Sequence, residues 1–471
     1  MDAAPAFPVM RCRTALLALL LALSACGASE APAVAAGDAV EPGPVDGPDA
    51  SDLPRDCFWA ARSDPNAVNT LYPDRYATYW SANLNIPPGG AVLLRGRYPH
   101  ARYMSFNLYN PRLEPLDALA DVEINPLPGA VQPFAVNAQR AAEPRDYEIQ
   151  IIAALRPDDP ALRAPNTLYS FQAVGAQPVP GPQATVLYRI YVEDAGYDLS
   201  GGVGLPQVVL RYASGQEVTG TEACSAMELA PAVPAADSLN TLNPATEVPA
   251  NTAAFEYLQW LKFFDLQGSQ ANRFNATPAG QAFRTTFGNS TSNAGGFASN
   301  VHNNYVYSTL SQSLGEVVAI EARFPQAPRT RNHVALMQGG DLRYWSLCTY
   351  DANSQRYFDC LYDEQVTRNA GQRAIVVVSR PADRPQNATP ACGVTWLNWG
   401  PLSLSLLIYR HMLPEPGFAH AIQAIPGPPG EHEEAVMGDY FPYGQHLSRT
   451  AFEALGCPVP GAAIADLSSQ P

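Results

Sequence analysis

The chain has 471 residues, of which 46% are hydrophobic and 15% charged, with 45 Pro and 34 Gly. That length suits about two folded domains with tails and excludes a small disulfide scaffold. A net charge of −15 repels phosphate and argues against a nucleic-acid partner. Past the N-terminus no apolar run reaches the roughly 20 residues a membrane helix needs.

In chain order, the first 26 residues read as an export signal. Arg11 and Arg13 are followed by the apolar run Ala15–Leu23 and then by Leu23-Ser24-Ala25-Cys26. The sequence Leu-Ser-Ala-Cys-Gly resembles a bacterial lipobox, and that resemblance implies lipidation at Cys26. Residues 27–52 are almost all Ala, Pro, Gly, Asp, Glu, Val and Ser. They lack the apolar surface to fold, so we expect a disordered tether. The membrane contact expected is therefore the lipid alone, with the folded part in a periplasmic or cell-surface compartment.

The folded region reads as mainly β. Short apolar runs such as Val92–Leu94, Val186–Val192, Val317–Ile320, Ala374–Ser379 and Leu402–Tyr409 stand between Pro- and Gly-rich turns. Its strongest feature is a repeat. Gly89–Pro99 matches Gly315–Pro325, with Tyr79 and Tyr305 before them at one offset. Arg102–Asn110 then matches Arg343–Asp351, Asp117–Asp121 matches Asp359–Asp363, and Leu187–Arg189 matches Ile408–Arg410. A period above 200 residues predicts two tandem β-sandwich (jelly-roll-like) domains with a few helices. The expected boundaries are 53–226 and 251–460, with a linker at 227–250 and a tail at 461–471. A helix is expected to open the second domain, capped by Thr252, because Phe255, Leu258, Leu261 and Phe264 recur at helical spacing.

Alternation divides the repeated Arg-Tyr-x-Ser strand into two faces. Arg102, Met104, Phe106 and Leu108 should face the core, as should Arg343, Trp345, Leu347 and Thr349. The opposite face carries Tyr103, Ser105, Asn107 and Tyr109, and in the second copy Tyr344, Ser346, Cys348 and Tyr350. A turn at Asp351–Ser354 brings Phe358–Asp363 back antiparallel and sets Cys348 opposite Cys360, where a disulfide fits. The same register places Asp363 diagonal to Arg343 and, by transfer, Asp121 diagonal to Arg102. Buried charges need partners, so the ion pairs expected are Arg102–Asp121 and Arg343–Asp363. With Cys348 and Cys360 joined, Cys57–Cys224 and Cys392–Cys457 are the remaining disulfides expected in an oxidising compartment.

Candidate chemistry is sparse. The Tyr103, Ser105, Asn107, Tyr109, Tyr344, Ser346 and Tyr350 faces offer rings beside hydroxyl and amide groups, which suits a polar or carbohydrate-like ligand. His411, His420, His432 and the acids Glu431, Glu433 and Glu434 lack His-Glu-x-x-His spacing, and the Pro426–Gly430 run places the acids on a solvated loop, so no metal is expected. No Gly-x-Ser-x-Gly elbow, phosphate loop or dinucleotide fingerprint occurs, and no organic cofactor is expected. The aromatic stretch Gly438–Gly444 is expected to pack as a final strand.

The Arg-Tyr-x-Ser…Asp-x-Leu-x-Asp pattern, with Leu-Tyr-Arg followed by Ser200-Gly201-Gly202-Val203-Gly204-Leu205-Pro206, resembles a group of exported bacterial β-rich proteins of unknown function. The second copy has Pro414–Gly417 in place of the Gly-Gly…Leu-Pro loop, so a function tied to that loop would reside in the first copy. The resemblance implies no catalytic residue. The expectation is an exported, lipid-anchored protein binding a polar ligand or an envelope partner. The alternatives are a cofactor-independent hydrolase or lyase acting on an extracytoplasmic polymer, and a structural envelope protein.

Overall fold

A computed structural model describes residues 57–464 except 60, 65–68, 70–71, 111–114, 175–176, 180–183, 230–255, 264–298, 352–353, 370, 428 and 462–463. The signal segment, Cys26, the tether and nearly all of the linker lie outside the described residues. Those described belong to one compact unit, Asp46–Pro471.

Within it the chain builds the same architecture twice. The first half runs β1 (Ala61–Ser63), β2 (Ala77–Leu84), β3 (Ala91–Arg97), β4 (Ala101–Tyr109), β5 (Pro115–Ala120), β6 (Asp146–Leu155), β7 (Thr167–Val174), β8 (Gln177–Val179), β9 (Ala184–Glu193), β10 (Gln207–Arg211), β11 (Glu217–Thr219) and helix α1 (Gly220–Ala226). The second runs β12 (Leu261–Lys262), β13 (Asn303–Ser311), β14 (Val317–Arg323), β15 (Leu342–Tyr350), β16 (Tyr357–Tyr362), β17 (Arg373–Ser379), β18 (Val394–Asn398), β19 (Leu404–Pro414), helix α2 (Glu433–Met437), β20 (Tyr443–Leu447) and helix α3 (Arg449–Glu453).

One sheet of the first half has the order β1-β2-β9-β4-β5, and its counterpart in the second is β12-β13-β19-β15-β16. The other sheets contain β10-β3-β6-β7 and β20-β14-β17-β18, in which β6–β7 and β17–β18 are the parallel pairs. The register repeats too. Tyr79 and Ser105 flank Arg189 on β9, and Tyr305 and Ser346 flank Arg410 on β19. Each half is thus a sandwich closed by apolar side chains from both sheets. Val92, Leu94, Met104, Phe106, Tyr147 and Ile149 share the first core, and Val318, Ile320, Trp345, Leu347, Val376 and Val378 the second. The chain is mainly β.

The described residues carry three disulfides: Cys57–Cys224, Cys348–Cys360 and Cys392–Cys457. Cys348 and Cys360 are direct cross-strand partners on β15 and β16. Three such bonds point to an oxidising, extracytoplasmic environment. No helix among the described residues is long and apolar enough to cross a membrane.

The expected helix near 252–264 is corrected by residues 256–263, which are extended. Tyr257 bridges to Gln445, the Leu258 N–H donates to the Gly444 carbonyl, and β12 pairs with β13. Leu258 and Trp260 enter the second core two residues apart, the period of a strand, so the helical spacing of apolar residues there was coincidental. The stretch Gly438–Gly444 enters β20, which pairs with β14.

Candidate functional site

The repeated hairpins sit between the two halves, and all nine residues of β4 and all nine of β15 are buried. One face of each strand fills its own sandwich. The other meets the opposite half, where Tyr103, Tyr191, Tyr344, Tyr362 and Met412 form a shared cluster. The expectation that these strand faces hold a polar ligand is therefore corrected: Tyr103, Ser105, Asn107, Tyr109, Tyr344, Ser346 and Tyr350 are at most 1% exposed. A sheet with its outer face covered by a second sheet has no solvated side.

What those faces bind is a turn from the other half. The Tyr344 hydroxyl and Ser346 Oγ donate to the carboxylate of Asp74, and the Tyr350 hydroxyl donates to the Pro73 carbonyl. Reciprocally, Asn107 Nδ2 donates to Asn300 Oδ1, Asn300 Nδ2 donates to the Tyr103 hydroxyl, and the Tyr109 hydroxyl donates to the Ser299 carbonyl. Asp74 and Asn300 each lie three residues before the equivalent strands β2 and β13. Arg410 adds an ion pair to the fully buried Asp74. Burial raises the Tyr103, Tyr344 and Tyr350 hydroxyls above their ordinary value, so these phenols stay neutral donors.

The arginines expected to pair within each copy are exchanged. Arg102 Nη1 donates to both oxygens of Asp363 at 2.6 Å, and Arg102 also pairs with Glu364. Arg343 Nη1 donates to Asp121 Oδ1 at 2.8 Å. The pairs Arg102–Asp121 and Arg343–Asp363 are thus corrected to Arg102–Asp363 and Arg343–Asp121. Each carboxylate is fixed by its own strand's backbone, the Met104 N–H donating to Asp121 and the Trp345 N–H to Asp363, and in that position it receives the guanidinium that the opposite half presents across the interface.

At the edge of this interface, a cleft of about 620 Å³ opens in the second half beside Asp363 and Glu364. Polar side chains dominate it: Gln326, Arg329, Gln338, Arg368, Asn369 and Gln372. They come from the loop between β14 and β15 and from the loop between β16 and β17. Arg368 lies over the Trp345 ring, 5.4 Å from its centroid, and donates to Gln372 Oε1 at 3.3 Å and the Asp363 carbonyl at 3.4 Å. Sequence reasoning missed these residues because loops carry no periodicity from which to place them.

The histidine and acidic residues of the second half serve separate contacts. His411 is wholly buried; its Nδ1 accepts from the Ile422 N–H, and burial holds the ring down to about 3. His420 Nδ1 donates to the Val436 carbonyl. The expectation of a solvated acidic loop is corrected at Glu433, which is buried and accepts from the backbone N–H groups of Lys262, Gly430 and His432. Asp74 lies close to Cys348 and Cys360, but those sulfurs are joined to each other and offer no thiolate to a metal.

No family model matches the chain, and no curated protein matches it. It is similar to the crystal structure of an uncharacterised protein of Burkholderia cenocepacia, at 13% identity over 81% of this chain and 79% of that one, with a TM-score of 0.42. A structure from Vibrio parahaemolyticus matches at 10% identity over 81% of this chain and 92% of that one, with a TM-score of 0.35.

Proposed function

We propose that this chain is an exported protein, tethered by lipid at Cys26, which holds a polar, carbohydrate-like ligand in the cleft beside Asp363 and Glu364. The cleft carries the reading. Its volume lies within the range of small-molecule sites, roughly 300–1,000 Å³, and its lining is rich in amide and guanidinium donors. The Leu-Ser-Ala-Cys sequence supports the tether, and the disulfides agree with export. The lining contains no Ser, Cys or His nucleophile, and both its carboxylates are engaged by Arg102, which weighs against the hydrolase alternative. A structural envelope role is the second reading, favoured by the Tyr and Ser faces being spent on holding the halves together.

The test is a thermal-shift screen of the full chain in detergent against neutral and acidic saccharides, repeated on Gln338→Trp. Gln338 is exposed at the cleft, so the indole fills the cleft without disturbing the core. At least one saccharide should raise Tm by mass action, and Q338W should lose that response while keeping the unliganded Tm. A silent screen, or a response that survives in Q338W, overturns the proposal.

A further inference from the structure

We infer that the cleft selects an acidic saccharide, with its carboxylate held between Arg329 and Arg368; this deepens the proposed function and rests on it. The argument begins with charge. Most buried guanidinium groups of the interface have a carboxylate: Arg102 with Asp363 and Glu364, Arg343 with Asp121, Arg410 with Asp74, and Arg140 with Asp194. Among the described residues, Arg329 and Arg368 have none within 4.0 Å. In a chain of net charge −15, two arginines left without carboxylates in one cleft are a local exception to a field that repels anions.

The remaining charges around the cleft are accounted for. Asp363 has both oxygens on Arg102 Nη1, and Glu364 Oε1 accepts from the Thr330 and Arg331 N–H groups as well as from Arg102. Asp363 and, more weakly, Asp341 act on Arg368 electrostatically without an ion-pair contact, and Asp341 Oδ2 accepts from the Gln326 N–H. Arg368 is held in place by Trp345 and Gln372 and spends two of its five N–H donors on long bonds. The donors that remain suit a carboxylate, which guanidinium binds by paired, charge-assisted hydrogen bonds. The side-chain oxygens of Gln338, Asn369 and Gln372 already accept from the Arg329 N–H, from the Gly371 and Arg373 N–H groups and from Arg368, so these amides face a ligand chiefly as N–H donors to its oxygens. No aromatic ring lines the cleft, so a neutral sugar would find hydrogen bonds there but no stacking platform.

The experiment titrates the full chain with D-galacturonate and with its neutral counterpart D-galactose, on the wild type and on Arg329→Gln and Arg368→Gln. Galacturonate should bind and raise Tm, and galactose should bind at least tenfold more weakly. R329Q should lose about tenfold or more in galacturonate affinity, the scale of one charge-assisted hydrogen bond, with its unliganded Tm unchanged because Arg329 is exposed. R368Q should show the same loss of affinity. Equal binding of the two sugars, or galacturonate affinity unchanged in both variants, overturns the acidic-ligand inference while leaving the cleft as the site. If no saccharide of either kind responds, the inference and the proposed function fall together.

Discussion

At the scale of single residues, the exchanged ion pairs convert charge into specificity for one arrangement of the halves. Arg102 is fully buried, and its partners Asp363 and Glu364 come from the other half of the chain. Removing one member of such a pair strands the other in a low-dielectric interior, at a cost of about 3–5 kcal/mol. Arg102→Met should therefore destabilise the chain by that amount in denaturant unfolding. Asp363→Asn in the same background should cost less than it does alone, because the stranded carboxylate is then gone. Strictly additive costs would show that the two groups do not interact. Lys262 makes a second case, as the only lysine in the chain. It is buried, and its amine donates to the Ile425 carbonyl at 2.6 Å and the Gln423 carbonyl at 3.3 Å. Burial pulls it from 10.5 down to about 8, with Glu433 opposing. Between those values the unfolded chain binds a proton that the folded chain lacks, so stability rises with pH across that window. The cost is fully present below about 8. Unfolding free energies at pH 7.5 and 10 should show this rise in the wild type, on the order of 3 kcal/mol over the full window, and not in Lys262→Met.

At the scale of elements, the strands were legible because their signals are local. The apolar runs between turns, the repeated Arg-Tyr-x-Ser segment and the Asp351–Ser354 turn map onto β3, β4, β14, β15 and the β15–β16 hairpin, with Cys348 opposite Cys360. The Gly-Gly…Leu-Pro loop has a local cause as well. Gly201 and Gly202 both have left-handed φ, and a Cβ on Gly202 would meet the Tyr197 ring at 2.3 Å. Asp198 Oδ1 closes the loop by accepting from the Ser200 and Gly202 N–H groups. What alternation cannot state is which face has a partner. It separated Tyr103, Ser105, Asn107 and Tyr109 from the core set correctly, yet polar side chains alone do not mark a solvated face. A usable signal was present: neither copy of that face carries a charged residue, whereas exposed strands usually bear Lys or Glu. The cleft was not legible, because its walls are two loops whose meeting depends on the whole sandwich. The segment 256–263 misled for a different reason: i, i+3 spacing over so few residues is weak evidence for a helix, and the side chains that enter the core, Leu258 and Trp260, follow the i, i+2 alternation of a strand.

At the scale of the whole molecule, each half completes the other. The first half gives Asp74 and Pro73 to the second half's hairpin and receives Asn300 and Ser299 in return. A further strip joins them where Gln139 bridges to Leu336 and the Asn137 and Arg140 N–H groups donate to the carbonyls of Met337 and Ala335. Each sandwich has its own core, so each half has the means to collapse alone. Collapse alone, however, would leave Arg102 or Arg343 buried without a carboxylate and a Tyr-rich face without its partner, which is the composition of an aggregation-prone surface. Cutting the chain within residues 230–255 breaks none of the contacts described. The two pieces, expressed together in an oxidising compartment, should therefore co-purify as one non-covalent complex, since no disulfide among the described residues links the halves. Expressed singly, each should be insoluble or bind hydrophobic dye. Two separately soluble pieces that ignore each other on mixing would mean that the exchanged arginines contribute nothing to holding the sandwiches together. A cut chain carrying both Arg102→Met and Arg343→Met should fail to assemble even when the pieces are made together, which ties the assembly to those two guanidinium groups and not to apolar contact alone.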